Sequence, residues 1–135
     1  MPACPDPEDA LLMEDPRFGE AVRLFNAGAW YEAHDGFEEL WHETAGPHRT
    51  VLQGILQLAV AQLHLERGNR RGATILTGEG LGRLERAPAL VLGLDLEGLR
   101  RDGRVWLRAL QSDEPAERLR DQLPVLVLRP IGGAL

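Results

Sequence analysis

The sequence predicts an all-α fold, a compact bundle of five to six antiparallel helices with short loops and a short extended C-terminal tail. Three observations predict it. Apolar residues recur with a period near 3.6 through most of the chain. The run Val51 to Leu65 contains no Asp, Glu, Lys or Arg, as expected of a helix buried on most sides. Glycine or proline interrupts the pattern at short intervals, which favours consecutive helices joined by tight turns. At 135 residues the chain forms one domain, residues 1–135, long enough to bury a core.

The elements follow in order. Residues 1–14 begin with a proline-rich stretch and read as a loosely ordered lead-in. Asp15-Pro16 is an N-cap followed by proline at the first helical position. It opens a helix to about Ala27 that buries Phe18, Val22 and Phe25, and Gly28 ends it. A second helix covers Ala29 to Glu43, up to the Ala45-Gly46-Pro47 break. The third, Arg49 to Arg67, is the most apolar, and Leu56, Ala59 and Leu63 are expected in its buried surface. Gly68-Asn69 stops it with residues that tolerate positive φ. A fourth helix spans Arg70 to Arg86. Its glycines 78, 80 and 82 weaken it, which close helix approach would explain. After a connector at 89–94, Leu94-Asp95 opens a fifth helix, Leu96 to Leu110, and Ser112 or Asp113 caps a sixth, Glu114 to Gln122. The apolar tail, residues 123–135, is expected to pack as an extended segment on the bundle or on a second copy. Its surplus of apolar positions predicts a homodimer.

Composition narrows the function. The net charge of −6 argues against nucleic acid, which requires a basic face. All 15 basic residues are arginine, a bias expected of a GC-rich bacterial genome. The lone cysteine, Cys4, cannot form an internal disulfide and fits a reducing cytoplasm. The N-terminus has neither the basic nor the apolar region of a signal peptide. The uncharged run is too short to span a bilayer and holds glutamines, so no membrane segment is expected.

Chemistry concentrates in WYEAHDGFEELW, residues 30–41. On a helix Trp30, His34, Phe37, Glu38 and Trp41 fall within about 100° of arc. The aromatic residues mark that face as buried, so Glu38 needs a partner, and His34 is four residues away. On the third helix Gln53, Gln57 and His64 form a polar seam with Val60. If the two helices pack antiparallel, His34 approaches His64 and the group becomes one polar core. The preferred reading is a hydrogen-bonded structural network in a structural or interaction module, with no cofactor. The alternative is a small metal-dependent enzyme or metal-binding protein using His34, Glu38 and His64. In either reading, loss of one buried partner is expected to cost on the order of 3 kcal/mol. Glu39 and His42 match half of a di-iron bundle motif, but no second copy exists; with Glu32, Asp35 and Glu43 they read as a solvated acidic face. His48, after the break, reads as a surface histidine. Arg67, Arg70 and Arg71 around the Gly68-Asn69 turn read as complements to a helix dipole.

The segments FNAGAWYEAHDGFEELW, LQGILQLAVAQLHLERGNRRGA and GLDLEGL, in that order, resemble the domain of unknown function 309 (DUF309) family, small all-α proteins of bacteria and archaea. The resemblance covers about residues 16 to 100. It implies hallmark positions at Glu32, His34, Glu38, Trp41, Gln53, Gln57, Asn69, Gly72 and Ala73. Asp35 stands where the family more often has glutamate, and His42 is not a usual family feature. The resemblance implies a fold and leaves the activity open.

Overall fold

In the computed structural model, which describes residues 7–131, the all-α class holds, but the described residues form seven helices and not the five to six expected, α1 being one the sequence did not announce. The central element is the uncharged helix, α4 (Pro47–Glu66). Val51, Leu52, Ile55, Leu58, Ala59 and Leu65 are buried around it. One side stays half-open, and Gln53, Leu56, Val60, Leu63 and His64 share it. Leu56 and Leu63 therefore sit at the margin of the core, not at its centre as expected. Before α4 come α1 (Pro7–Glu14), α2 (Pro16–Asn26) and α3 (Trp30–Glu43). After it come α5 (Arg70–Leu84), a hairpin of β1 (Leu90–Val91) and β2 (Leu94–Asp95), α6 (Leu96–Leu110) and α7 (Ala116–Gln122). Cys4, the start of the lead-in and the last four residues of the tail lie outside the described residues.

Helix starts are set by short polar side chains. Asp15 accepts a hydrogen bond from the Arg17 N–H (2.9 Å), Asn69 from Gly72 (2.9 Å) and Asp95 from Gly98 (2.9 Å), each quenching a donor that the first turn leaves free. Edge-to-face rings join α2 to α3: Phe18 meets Phe37 at 6.3 Å and Phe25 meets Trp30 at 5.0 Å. Outside them, Arg17 reaches from α2 to Glu39 (3.0 Å) and Glu43 on α3 while also holding Asp15. Its hydrogen bonds hold the Asp15 and Glu43 carboxyls below their ordinary range.

The closest helix crossing is between α4 and α5. A Cβ on Gly54 would lie 2.8 Å from Leu84 and 3.0 Å from the Gly80 carbonyl oxygen; one on Gly80 would lie 2.9 Å from the Gly54 carbonyl. Only hydrogen fits at either position. Of the three glycines expected to permit close approach, Gly80 alone does so. Gly82 has nothing within 4 Å of where a Cβ would be, and Gly78 only one side-chain atom, at 3.9 Å.

Three features differ from the sequence reading. Residues 7–14 are helical, where a loose lead-in was expected. Pro7 opens α1 with Glu8 and Asp9 in its first turn, which suits the positive end of the dipole. None of its residues is fully buried, so it carries no apolar periodicity to read. The connector is a hairpin whose two-residue turn, Leu92 (φ 55) and Gly93 (φ 70), has positive φ at both positions, the twist that hairpins favour. Leucine is costly there, and Leu92 is buried, which offsets the strain. Finally, the described part of the tail takes the first of its two expected places, on its own bundle. Leu126 and Leu128 are buried. The Asn26 amide donates to the Leu128 carbonyl (2.9 Å) and accepts from its N–H (2.7 Å). Trp106 Nε1 donates to the Pro124 carbonyl (2.7 Å), and Pro130 bridges Leu94 of the hairpin. Of the described tail residues Val125 and Ile131 remain as exposed large apolar side chains, a smaller apolar surface than the one from which a homodimer was expected.

Burial ranks the leucines of α4. Leu52→Ala is expected to cost about 2–5 kcal/mol, the range for a fully packed leucine, and Leu56→Ala clearly less. Urea denaturation of the two variants checks the ranking; equal losses would contradict the half-open side.

Candidate functional site

The apolar arc of α3 is Trp30, Ala33, Phe37 and Leu40, all buried. At 100° per residue its centre is displaced from the arc drawn through Trp30, His34 and Trp41, because Ala33 and Leu40 pull the buried face round. His34 and Glu38 fall on the flank. Their bond exists, with His34 Nε2 2.8 Å from Glu38 Oε2, but their side chains are 22% and 43% exposed. Glu38 is thus a half-exposed carboxylate and not the buried one the aromatic stripe suggested. Trp41 lies at the edge of the core under the Arg49 guanidinium, 4.1 Å from the ring centroid. Its indole N–H is buried without a hydrogen-bond partner among the described residues, so it does not serve Glu38.

The remaining expected site residues go elsewhere. Gln57 is buried and faces α5: its amide donates to Glu79 (3.2 Å) and accepts from Arg83 Nε (2.9 Å). His64 Nδ1 lies 3.1 Å from the Asn69 amide across the α4–α5 turn. Asn69, Gly72 and Ala73 build the start of α5. A Cβ on Gly72 would sit 2.6 Å from the Asn69 amide nitrogen, and Ala73 is buried. Gln53 lies on the half-open side of α4, and Glu32 is exposed on α3. His34, Glu38 and His64 are not gathered into one centre. Among the described residues no three His, Cys, Asp or Glu side chains are placed to share a metal ion. Glu39 and His42 face outward, as expected. Arg70 complements a helix end, but that of α6: its guanidinium donates to the carbonyls of Ala109 (3.1 Å), Leu110 (3.1 Å), Ser112 (2.8 Å) and Glu114.

Polar and apolar groups converge at a place the sequence did not mark. A cleft of about 560 Å³ lies between α1, the start of α4, the end of α5 and the hairpin. One wall carries Thr50, Arg83 and Arg86; Val51, Leu90 and Val91 supply apolar surface. His48, expected on the surface, is buried at the α1 side. Its Nδ1 lies 3.2 Å from Glu8 Oε2 and its Nε2 meets Asp9 Oδ1, so α1 is tied to α4 by a histidine between two carboxylates. A second hollow, about 290 Å³, is lined by Leu11, Leu12, Arg17 and Glu43, but the Arg17 guanidinium there is taken up by carboxylates. No short motif could have announced the cleft, because its walls come from residues 8 to 91 of the chain.

Residues 18–76 match the family model described as Domain of unknown function (DUF309), within the stretch where the sequence resembles that family. No curated protein matches the chain.

The geometry of His34 and Glu38 lowers the expected effect of breaking them. A half-exposed i,i+4 pair contributes about 0.3–0.5 kcal/mol. Glu38→Ala is therefore expected to change the unfolding free energy by less than about 1 kcal/mol. A loss near 3 kcal/mol in urea denaturation would restore the buried-pair reading.

Proposed function

We propose that the protein, whose residues 18–76 match the DUF309 family model, is a cytoplasmic, non-catalytic interaction module whose working surface is the cleft between α1, α4, α5 and the hairpin. The observation that carries this reading is the distribution of polar side chains. His34 with Glu38, Gln57 with Glu79 and Arg83, His64 with Asn69, and His48 with Glu8 and Asp9 are four separate ties. Each joins neighbouring turns or helices. A catalytic centre needs an acid, base or nucleophile converging on one reacting atom. The cleft offers what a binding site needs, a concave apolar surface with a few placed polar groups. Among the described residues no helix is long and apolar enough to cross a membrane.

Metal content and the paired substitution test the reading against a metalloenzyme. The purified protein is expected to hold no stoichiometric zinc, iron or manganese. His34→Leu combined with Glu38→Met is expected to keep the fold and to melt close to the native protein. Stoichiometric metal in the native chain that disappears in the double variant would overturn the proposal.

A further inference from the structure

The ligand class of the cleft follows from its charges. Arg83 uses Nε to hold Gln57, and its terminal nitrogens have no ion-pair partner among the described residues. Arg86 is exposed and makes no ion pair there either. Both line the cleft and the open hollow of about 510 Å³ beside it, which shares Thr50. The α4 amino end lies on the same side; its N-cap, Gly46, provides no side-chain acceptor, so the positive end of that helix adds to the two guanidinium groups. Two arginines side by side without an ion-pair partner among the described residues run against the net charge of −6. The carboxylates of the opposite wall, Glu8 and Asp9, are turned to His48. Glu79, at the outer hollow, is held by Gln57. Next to the arginines, Leu90 is 52% exposed and lines the cleft with Val51 and Val91.

We propose that the cleft binds a small anion carrying a short apolar chain, its carboxylate or phosphate oxygens on Arg83 and Arg86 and its chain over Val51, Leu90 and Val91. A guanidinium offers paired donors to either head group, and the exposed Leu90 beside the arginines gives an attached apolar chain a surface that a bare inorganic ion would leave uncovered. The volume lies within the range of small-molecule sites. The proposal rests on the cleft being the working surface, and the test separates the two.

The experiment is a nuclear magnetic resonance titration of the isotope-labelled full chain with four probes that share a hexyl chain: heptanoate, hexyl phosphate, hexylammonium and hexanol. Heptanoate or hexyl phosphate is expected to shift the amides of Thr50, Val51, Arg86 and Val91, and the tighter of the two identifies the head group. Arg86→Gln, at a side chain that ties nothing among the described residues, is expected to weaken that anion by roughly tenfold, the size of one charge-assisted hydrogen bond. Arg108→Gln, at an exposed arginine of α6 that does not line the cleft, is expected to leave affinity unchanged. Hexylammonium or hexanol binding as tightly as the anions, or affinity indifferent to Arg86→Gln, would overturn the anion assignment while leaving the cleft as a binding surface. If no probe shifts the cleft amides, both the assignment and the cleft reading fall.

Discussion

The crossing of α4 and α5 at Gly54 and Gly80 is the constraint on which the rest of the structure depends. Each glycine faces the carbonyl oxygen of the other at a distance that admits no methyl group, so the two backbones define how far apart the helices lie. Everything beside that contact is placed by helical spacing. Leu84 packs over Gly54. Gln57, nearly one turn after Gly54, reaches Glu79 and Arg83 on either side of Gly80. Because the helices run in opposite directions, Thr50 and Val51, a turn before Gly54, come to lie near Arg83, a turn after Gly80. Those residues line the cleft, so its polar wall is a geometric consequence of the glycine contact.

Arginine forks hold the second half of the chain to this pair. Arg100 is buried on α6 and donates to the carbonyls of Leu84 and Ala87 (both 2.7 Å) at the end of α5, with Glu97 at 2.8 Å as its counterion. Arg70, at the start of α5, closes the carbonyl end of α6 in turn. Each helix thus has its free carbonyls satisfied by its neighbour, where the negative end of the dipole also favours a cation. A guanidinium can span several carbonyls at once and an ammonium less well, so a chain without lysine is suited to this form of capping. The same economy fixes the tail, where the Asn26 amide imitates a strand partner for Leu128.

The sequence carried the helices whose signals are local. Asp15-Pro16 and Asp95 begin helices where the sequence places the starts, and Gly28, Gly46 and Gly68 take positive φ at the breaks; Asn69, expected only as a stop that tolerates positive φ, has φ −94 and caps α5 instead. What it could not carry depends on contacts between distant residues. α1 lacks an apolar stripe, and its seat on His48 joins residues 40 apart. The hairpin turns on a leucine with positive φ, which no turn signature announces. Gln57 and His64 were placed on the correct helix, but α5 receives Gln57 and the α4–α5 turn receives His64, where α3 was expected to. Glu38 was misplaced for a definable reason: Trp30, Phe37 and Trp41 bound an arc that fits His34, yet Ala33 and Leu40 shift its buried centre away. Ala33 and Leu40 help to set the direction of the buried face, and their weight is harder to read from sequence than that of the aromatic residues.

The most direct test of the glycine crossing is urea denaturation of Gly54→Ala, Gly80→Ala and the double variant. Alanine ordinarily stabilises a helix interior relative to glycine by about 0.5–1 kcal/mol. Here each single substitution should instead destabilise by about 1–3 kcal/mol, the cost of overpacking. The double variant should depart from additivity, because both methyl groups separate the same two backbones. Single variants as stable as the native protein, or more stable, would show that the helices are not held at glycine distance and would contradict the account.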